Sequence, residues 1–193
     1  PERSAQQTEI AKFWVESSPA GWNRIARTIA AQQNLDAYQT ARLFALLQLG
    51  EFDAYTTSLE SKYHYNFWHP VTAVELAASD GNASTTPAAG WQVLVFPTPP
   101  IPDYPSAHAI AGGTAAAVIE SAITGRIRPF ATTSTSLPGS VRQFESVSDA
   151  ARENADSRVF VGYHFRHATD VGLVQGLALG RYIERNALRK RRN

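Results

Sequence analysis

The stretch DAYQTARLFALLQLGEFDAYTTSLESKYHYN, residues 36–66, decides the fold class. Within it Leu43, Leu46, Leu47, Gly50 and Ala54 recur at three- and four-residue spacing, which is the period of one buried helix face. The pattern predicts a helix from about Asp36 to Asn66, with Pro70 ending it or opening a new turn. Shorter helical patterns surround it. Thr8 is a plausible N-cap for a helix over Glu9 to Val15, and Trp22 to Gln32 carries Ile25, Ala26 and Ile29 on one side. A further helix is expected from about Ser106 to Ile123, where Ala111, Gly112, Gly113 and Ala115 to Ala117 are small enough to let another helix approach closely. Two more, about Ser148 to Arg166 and Thr169 to Leu188, close the chain, the second with Leu173, Leu177, Ile183 and several glycines.

Between these patterns lie two irregular regions. Residues Ser79 to Tyr104 hold Asp-Gly-Asn, Pro-Ala-Ala-Gly and Pro-Thr-Pro-Pro, all turn formers, yet Trp91, Val93, Leu94, Val95 and Phe96 are too apolar to leave in water. A long ordered loop is expected there, and such loops are often functional. Pro129 to Ser146 places Thr/Ser-rich segments on either side of Leu137-Pro138-Gly139, a hairpin or an irregular excursion. The fold class is therefore all-α, a helical bundle with long ordered loops, with residues 1–193 forming one domain.

Composition narrows the function classes. Of the 193 residues 44% are apolar and 18% charged, so the chain can bury a core, and disorder is not expected. A formal charge of +1 argues against nucleic acid; the one basic block, Arg189-Lys190-Arg191-Arg192, reads as a solvent-facing tail. There is no cysteine, so any metal chemistry must use nitrogen and oxygen, and the compartment stays open. No stretch reaches the roughly 18 apolar residues of a membrane span, which predicts a soluble protein. A chain that begins at Pro1 and contains no methionine reads as a processed or truncated piece.

Three segments carry the chemistry. Lys62 and His69 are seven apart, almost two turns if one helix holds both, which would place them on one stripe; the aromatic run between them reads as core packing. Ser106, Ala107 and His108 at a helix start supply a hydroxyl, an N–H and an imidazole, backed by the helix's unpaired N–H groups and positive dipole end. Arg158 and His164, six apart, would lie about 120° apart on a helix and converge on one anion from two edges.

Taken in order, Lys62-(six residues)-His69-Pro70, Pro105-Ser106-Ala107-His108 and Ser157-Arg158-(five residues)-His164 resemble the three-part signature of the type 2 phosphatidic acid phosphatase and vanadium-dependent haloperoxidase superfamily. The flanks Lys62 to Trp68, Pro70 to Ala73, Asp80-Gly81-Asn82 and His164-Phe165-Arg166 are similar to its soluble bacterial haloperoxidase-like branch. That branch usually carries another helical region upstream, so the chain is expected to be the C-terminal part of a longer protein. The resemblance implies a helical bundle in which His164 bonds to vanadium or attacks phosphorus and His108 is the acid/base. Lys62, Ser106, the Ala107 N–H, Arg158 and the residue at position 69 would hold the oxygens of vanadate, or of phosphate as its mimic. Neutral His164 is a competent ligand or nucleophile, and His108 near its usual pKa would exchange protons at neutral pH.

Four departures bear on activity. His69 stands where the signature has Arg, which trades a permanent forked cation for a group charged only at lower pH. Ala107 replaces the usual Gly. Asp170 falls six residues after His164, where the phosphatase spacing instead meets Ala168, so it is a poor orienter of His164. Ile101 and Leu59 stand where related haloperoxidases often carry aromatic or imidazole groups beside the halide, so either the enzyme does not halogenate or Trp68, Tyr104 or an upstream region shapes that side. Three readings follow: halide oxidation by peroxide with vanadate on His164; phosphomonoester hydrolysis through a phosphohistidine; and a degenerate relative that binds phosphate or a partner protein without turnover. In the first two the ligand is a small anion.

Overall fold

A computed structural model describes residues 3–189. Its helices are α1 (Ala5–Phe13), α2 (Ser18–Gln32), α3 (Ala37–Tyr65), α4 (Pro70–Glu75), α5 (Ala107–Ala122), α6 (Val147–Phe160) and α7 (Arg166–Asn186). One small antiparallel hairpin, β1 (Phe130–Thr133) with β2 (Val141–Phe144), pairs Phe130 with Phe144. The all-α expectation holds. No helix among the described residues is long and apolar enough to cross a membrane. The basic block at 189–192 lies outside the described residues except for Arg189.

The long helix begins and ends where its sequence says. The Asp36 side chain accepts from the Gln39 N–H at 2.8 Å while the Gln39 side chain accepts from the Asp36 N–H at 3.0 Å, a reciprocal cap of two otherwise orphaned donors. Asn66, left-handed with φ 45°, turns the chain out of α3. The expected stripe joining Lys62 and His69 is therefore corrected: α3 ends at Tyr65, and His69 is the residue before Pro70 at the start of α4. The expected start of α1 is corrected too. Ser4 and Gln7 form the capping box, one turn ahead of Thr8.

At the centre stands α5. From Ala109 to Ile119 every residue is buried. Its partner α7 places Gly172, Gly176 and Gly180 four apart on the facing side, so the two backbones nearly touch. A Cβ at Gly176 would fall 2.1 Å from the Ile110 carbonyl oxygen, and one at Gly180 would fall 2.6 Å from that of Thr114. Around this pair, α2 and α3 bury Trp22, Ile25, Ile29, Leu43, Leu46 and Leu47, and the hairpin closes the same core with Phe130 and Phe144.

The segment expected as one helix from Ser148 to Arg166 is broken. α6 stops at Phe160, Gly162 takes φ 89°, and the N–H groups of Tyr163 and His164 both turn back to the Arg158 carbonyl at 3.1 and 3.2 Å. The long loop causes the break to be worthwhile: Trp91 packs on Gly162, Leu94 N–H bonds to Val161 O at 2.8 Å, and the Tyr163 hydroxyl donates to Val95 O at 2.6 Å. Arg158 and His164 therefore do not converge as neighbours on one helix; a tight turn folds His164 back beside it.

Gly176→Ala is expected to destabilise the protein by about 2 kcal/mol or more, because no side chain can yield where a carbonyl blocks the new methyl. Urea unfolding of the variant against Gly125→Ala measures it. Gly125 meets nothing within 4 Å, so its φ of 98° is the only penalty for that control.

Candidate functional site

α5 starts at the site. Ser106 caps it, fully buried, with its own N–H bonded to Ala168 O at 3.0 Å, which ties the start of α5 to the first turn of α7. Ala107 and His108 occupy the first helical positions, where N–H groups have no partner inside the helix. Lys62 arrives from the last turn of α3 and Arg158 from the last turn of α6. Both are almost wholly buried. The Lys62 ammonium donates to the carbonyls of Pro102 and Asp103 at 2.6 and 2.8 Å, and Arg158 donates to Trp14 O at 3.2 Å with its Nε unpaired. Among the described residues neither cation meets a carboxylate in an ion pair. Burial lowers the Lys62 pKa to about 8, with Asp103 partly opposing and Arg158 adding to the fall, and burial lowers Arg158 to about 10. Two buried cations with donors to spare describe a place for an anion.

Asp103 organises the imidazoles. Its Oδ1 accepts from His164 Nδ1 at 2.7 Å and lies 3.4 Å from His69 Nδ1. With the proton held at Nδ1, the lone pair of His164 sits on Nε2. Burial drives the His164 pKa down to about 4, Asp103 resisting and Lys62 and Arg158 assisting, so the ring is neutral at physiological pH. Burial would lift the Asp103 carboxyl, but the hydrogen bonds from His164 and His69 and the charge of His69 outweigh it and keep it ionised.

His69 departs from expectation. Its Nδ1 lies 2.6 Å from Tyr163 O and its Nε2 2.6 Å from Ile101 O. Carbonyl oxygens only accept, so both ring nitrogens carry protons and the ring is a cation. Burial opposes that charge, and Asp103 with the two carbonyls more than restores it, raising the pKa. The positive charge expected to help hold an oxyanion is instead spent on two loops and Asp103. For the same reason the close grouping of ligand atoms from His69, Asp103 and His164 is a hydrogen-bonded knot: His69 has no lone pair for a metal ion.

Two other expectations change. His108 is pushed well below its ordinary value by burial and by Arg158, so the free protein holds it neutral rather than poised near neutrality. Its Nε2 lies 3.3 Å from Glu16 O. Asp170 is exposed and 3.9 Å from Arg166, away from His164. Its place is taken by Asp103, which the sequence reading missed; the nearest signal was its position three residues before Ser106 in a loop too apolar to be free.

Beside Asp103 opens a cavity of about 500 Å³, walled by Tyr65, Phe67, Tyr104, Phe165 and His167. Tyr104 stacks on His167 at 5.3 Å, and Tyr65 meets Tyr104 edge-on at 5.1 Å. Tyr104 is among the residues that line this cavity, and Trp68 is not.

Residues 42–192 match the family described as VCPO second helical-bundle domain. A vanadium chloroperoxidase of Curvularia inaequalis is 27% identical over 225 aligned positions, which cover 85% of this chain and 36% of that protein. Among solved structures, the first bacterial vanadium-dependent iodoperoxidase superposes with a TM-score of 0.80 at 30% identity, over 93% of this chain and 43% of that one. A holo-type bacterial vanadium-dependent chloroperoxidase gives 0.74 at 16% identity, over 95% and 44%. The chain spans less than half the length of each of these relatives.

Asp103→Asn is expected to lower oxyanion affinity roughly 10- to 100-fold by freeing the His164 ring, as calorimetry with orthovanadate would measure. His69, whose pKa is raised on folding, contributes stability that is complete below its unfolded value of about 6.5 and is lost as pH rises through the folded value. The gap in melting temperature between the wild type and His69→Gln should accordingly be widest in mild acid and close in alkali.

Proposed function

The chain belongs to the vanadium haloperoxidase superfamily, and from that premise we propose that it binds vanadate at His164 and oxidises halide with peroxide. The observation that supports this best is the pair of buried, carboxylate-free cations, Lys62 and Arg158, gathered with an imidazole whose Nδ1 proton is held by Asp103.

The donor set fits an oxyanion of this kind. Lys62, Arg158, the Ser106 hydroxyl and the first N–H groups of α5 all offer donors, and His164 Nε2 offers a free lone pair as the ligand atom. When bound, vanadate would supply the Lewis acidity that polarises a peroxide O–O bond. The residues around it hold charge and move protons. Lys62 and Arg158 neutralise the oxygens. An anion there would lift the pKa of His108 and His164 back toward the usual imidazole range, which makes His108 able to take a proton from incoming peroxide and return it to the leaving oxygen. Asp103 would keep His164 in its ligating tautomer throughout, and the aromatic cavity past Tyr104 would exclude water from the halide side.

The loss of His69 as an oxygen donor favours weak retention of the anion, because one forked cation is missing from the cradle. Phosphomonoester hydrolysis has no observation of its own in its favour: the matched relatives are haloperoxidases.

Calorimetry with orthovanadate on the wild type and His164→Ala, followed by iodide and bromide oxidation with peroxide, tests the proposal. We expect His164→Ala to lose binding at least tenfold, about 1.4 kcal/mol, and oxidation to require both vanadate and His164. Halide oxidation that persists in His164→Ala, or a wild type that binds no orthovanadate, would sink it.

A further inference from the structure

Three helices that pack on α5, namely α2, α3 and α6, bury a seam of polar side chains among the apolar ones. On α3, Glu51, Tyr55, Ser58 and Lys62 fall at i, i+4, i+7 and i+11, one stripe running from mid-helix to the anion cradle. α6 contributes Asn154 and Arg158 four apart, and α2 contributes Ser18 and Trp22 at the same spacing. Glu51, Ser58, Lys62, Asn154, Arg158 and Trp22 are each at most 2% exposed. Yet both Glu51 carboxyl oxygens, Ser58 Oγ, Trp22 Nε1, Asn154 Oδ1 and Arg158 Nε find no partner in the protein.

Tyr55 lies in the electrostatic reach of both the Glu51 carboxyl and the Arg158 guanidinium, and Ser18 Oγ is a further buried atom without a partner. Further along, the Trp22 ring and the Asn154 amide press on the same side of Gly112 in α5, where an added Cβ would fall 3.2 and 3.0 Å from them. The charged or titratable groups facing it are Tyr55 and Lys62 from α3 and Arg158 from α6, with Tyr163 and His108 against Arg158 at the cradle end. α2 brings Ser18 and Trp22; around the neighbouring Gly50, α5 brings Thr114 and Val118, and α7 brings Ile183. No cation stands within ion-pair distance of Glu51 among the described residues. Native interiors resolve such a set of unmet groups with ordered internal water, since each left bare would be costly.

We propose that this seam holds a file of internal water from Glu51 past Tyr55 to Arg158 and Lys62, along which the Glu51 carboxyl exchanges a proton with the anion cradle. Burial without a partner pushes Glu51 up to about 8, so it carries a proton at neutral pH. Halide oxidation needs one: hydrogen peroxide, halide and a proton give hypohalous acid and water. The proton leaves Glu51 for the departing oxygen, and the carboxylate recovers one from bulk water past the half-buried Tyr55. This role rests on the haloperoxidase reading; the hydrated seam itself does not.

Infrared difference spectra between the wild type and Glu51→Gln isolate the Glu51 carboxylic C=O band. The band is expected at neutral pH, to vanish with a midpoint of about 8, to shift within the mixing time on dilution into D2O, and to shift again when orthovanadate is added. Ser58→Val narrows the file at its middle while leaving Lys62 and Arg158 in place, and should slow the deuterium shift several-fold. A band missing at neutral pH, or one that takes up deuterium as slowly as buried core amides, overturns the file. A band that exchanges fast yet ignores orthovanadate, in protein that calorimetry finds to bind it, overturns the proton link to the cradle. If the wild type binds no orthovanadate, the haloperoxidase reading falls and the deuterium result still decides the file.

Discussion

One buried carboxylate holds the candidate site together. The side chain of Asp103 receives the Nδ1 proton of His164 and the charge of His69, while its backbone donates to Phe67 O and accepts from Lys62. Four segments far apart in the chain are fixed through this residue: the end of α3, the entry to α4, the loop before α5 and the turn after α6. A lone buried carboxylate would be strongly disfavoured, and here two imidazoles and an ordered loop offset that cost. The charge is also what permits His69 to stay protonated between two carbonyls. Remove it, and His69 would be a buried cation without a counter-charge beside two others.

The consequence for anion chemistry is a division of labour. Lys62, with bonds to two loop carbonyls, and Arg158, with one bond to Trp14 O and Nε unpaired, each retain donors for an anion, whereas both ring nitrogens of His69 are taken up by the loops that build the cradle. Where an arginine would reach past the loop with five donors, the shorter imidazole stops at Ile101 and Tyr163. The fold of the loops is thereby supported by the residue that would otherwise have bound the ligand.

Features set by neighbours in the sequence were legible from it. The start of α3 near Asp36, its run to about Asn66, the start of α5 at Ser106 and the small-residue face of α5 all depend on residues within a turn or two, and local sequence reports them. The hairpin was visible as one of two alternatives around Leu137-Pro138-Gly139. What was not legible depended on distant contacts. The helix after Ser148 breaks at Gly162 because Trp91, some seventy positions away, packs against it, and a lone glycine in a helical pattern does not announce that. Asp103 was passed over since its partners, His69 and His164, lie about 34 and 61 positions away. The resemblance located the site residues in the chain, but only the fold could tell that His69 would turn its nitrogens to carbonyls.

The glycine contact between α5 and α7 bears on how sharply the cradle is defined. Ser106, Ala107 and His108 open one of these helices, and His164 stands two residues before the other. Where Gly172, Gly176 and Gly180 meet carbonyl oxygens, there are no rotamers on the glycine side to freeze on folding and none to rearrange afterwards. The two halves of the cradle are thus mounted on a joint with almost no conformational slack. An anion arriving there would lose little entropy to ordering its hosts, so even a cradle short of one cation can keep its donors aimed.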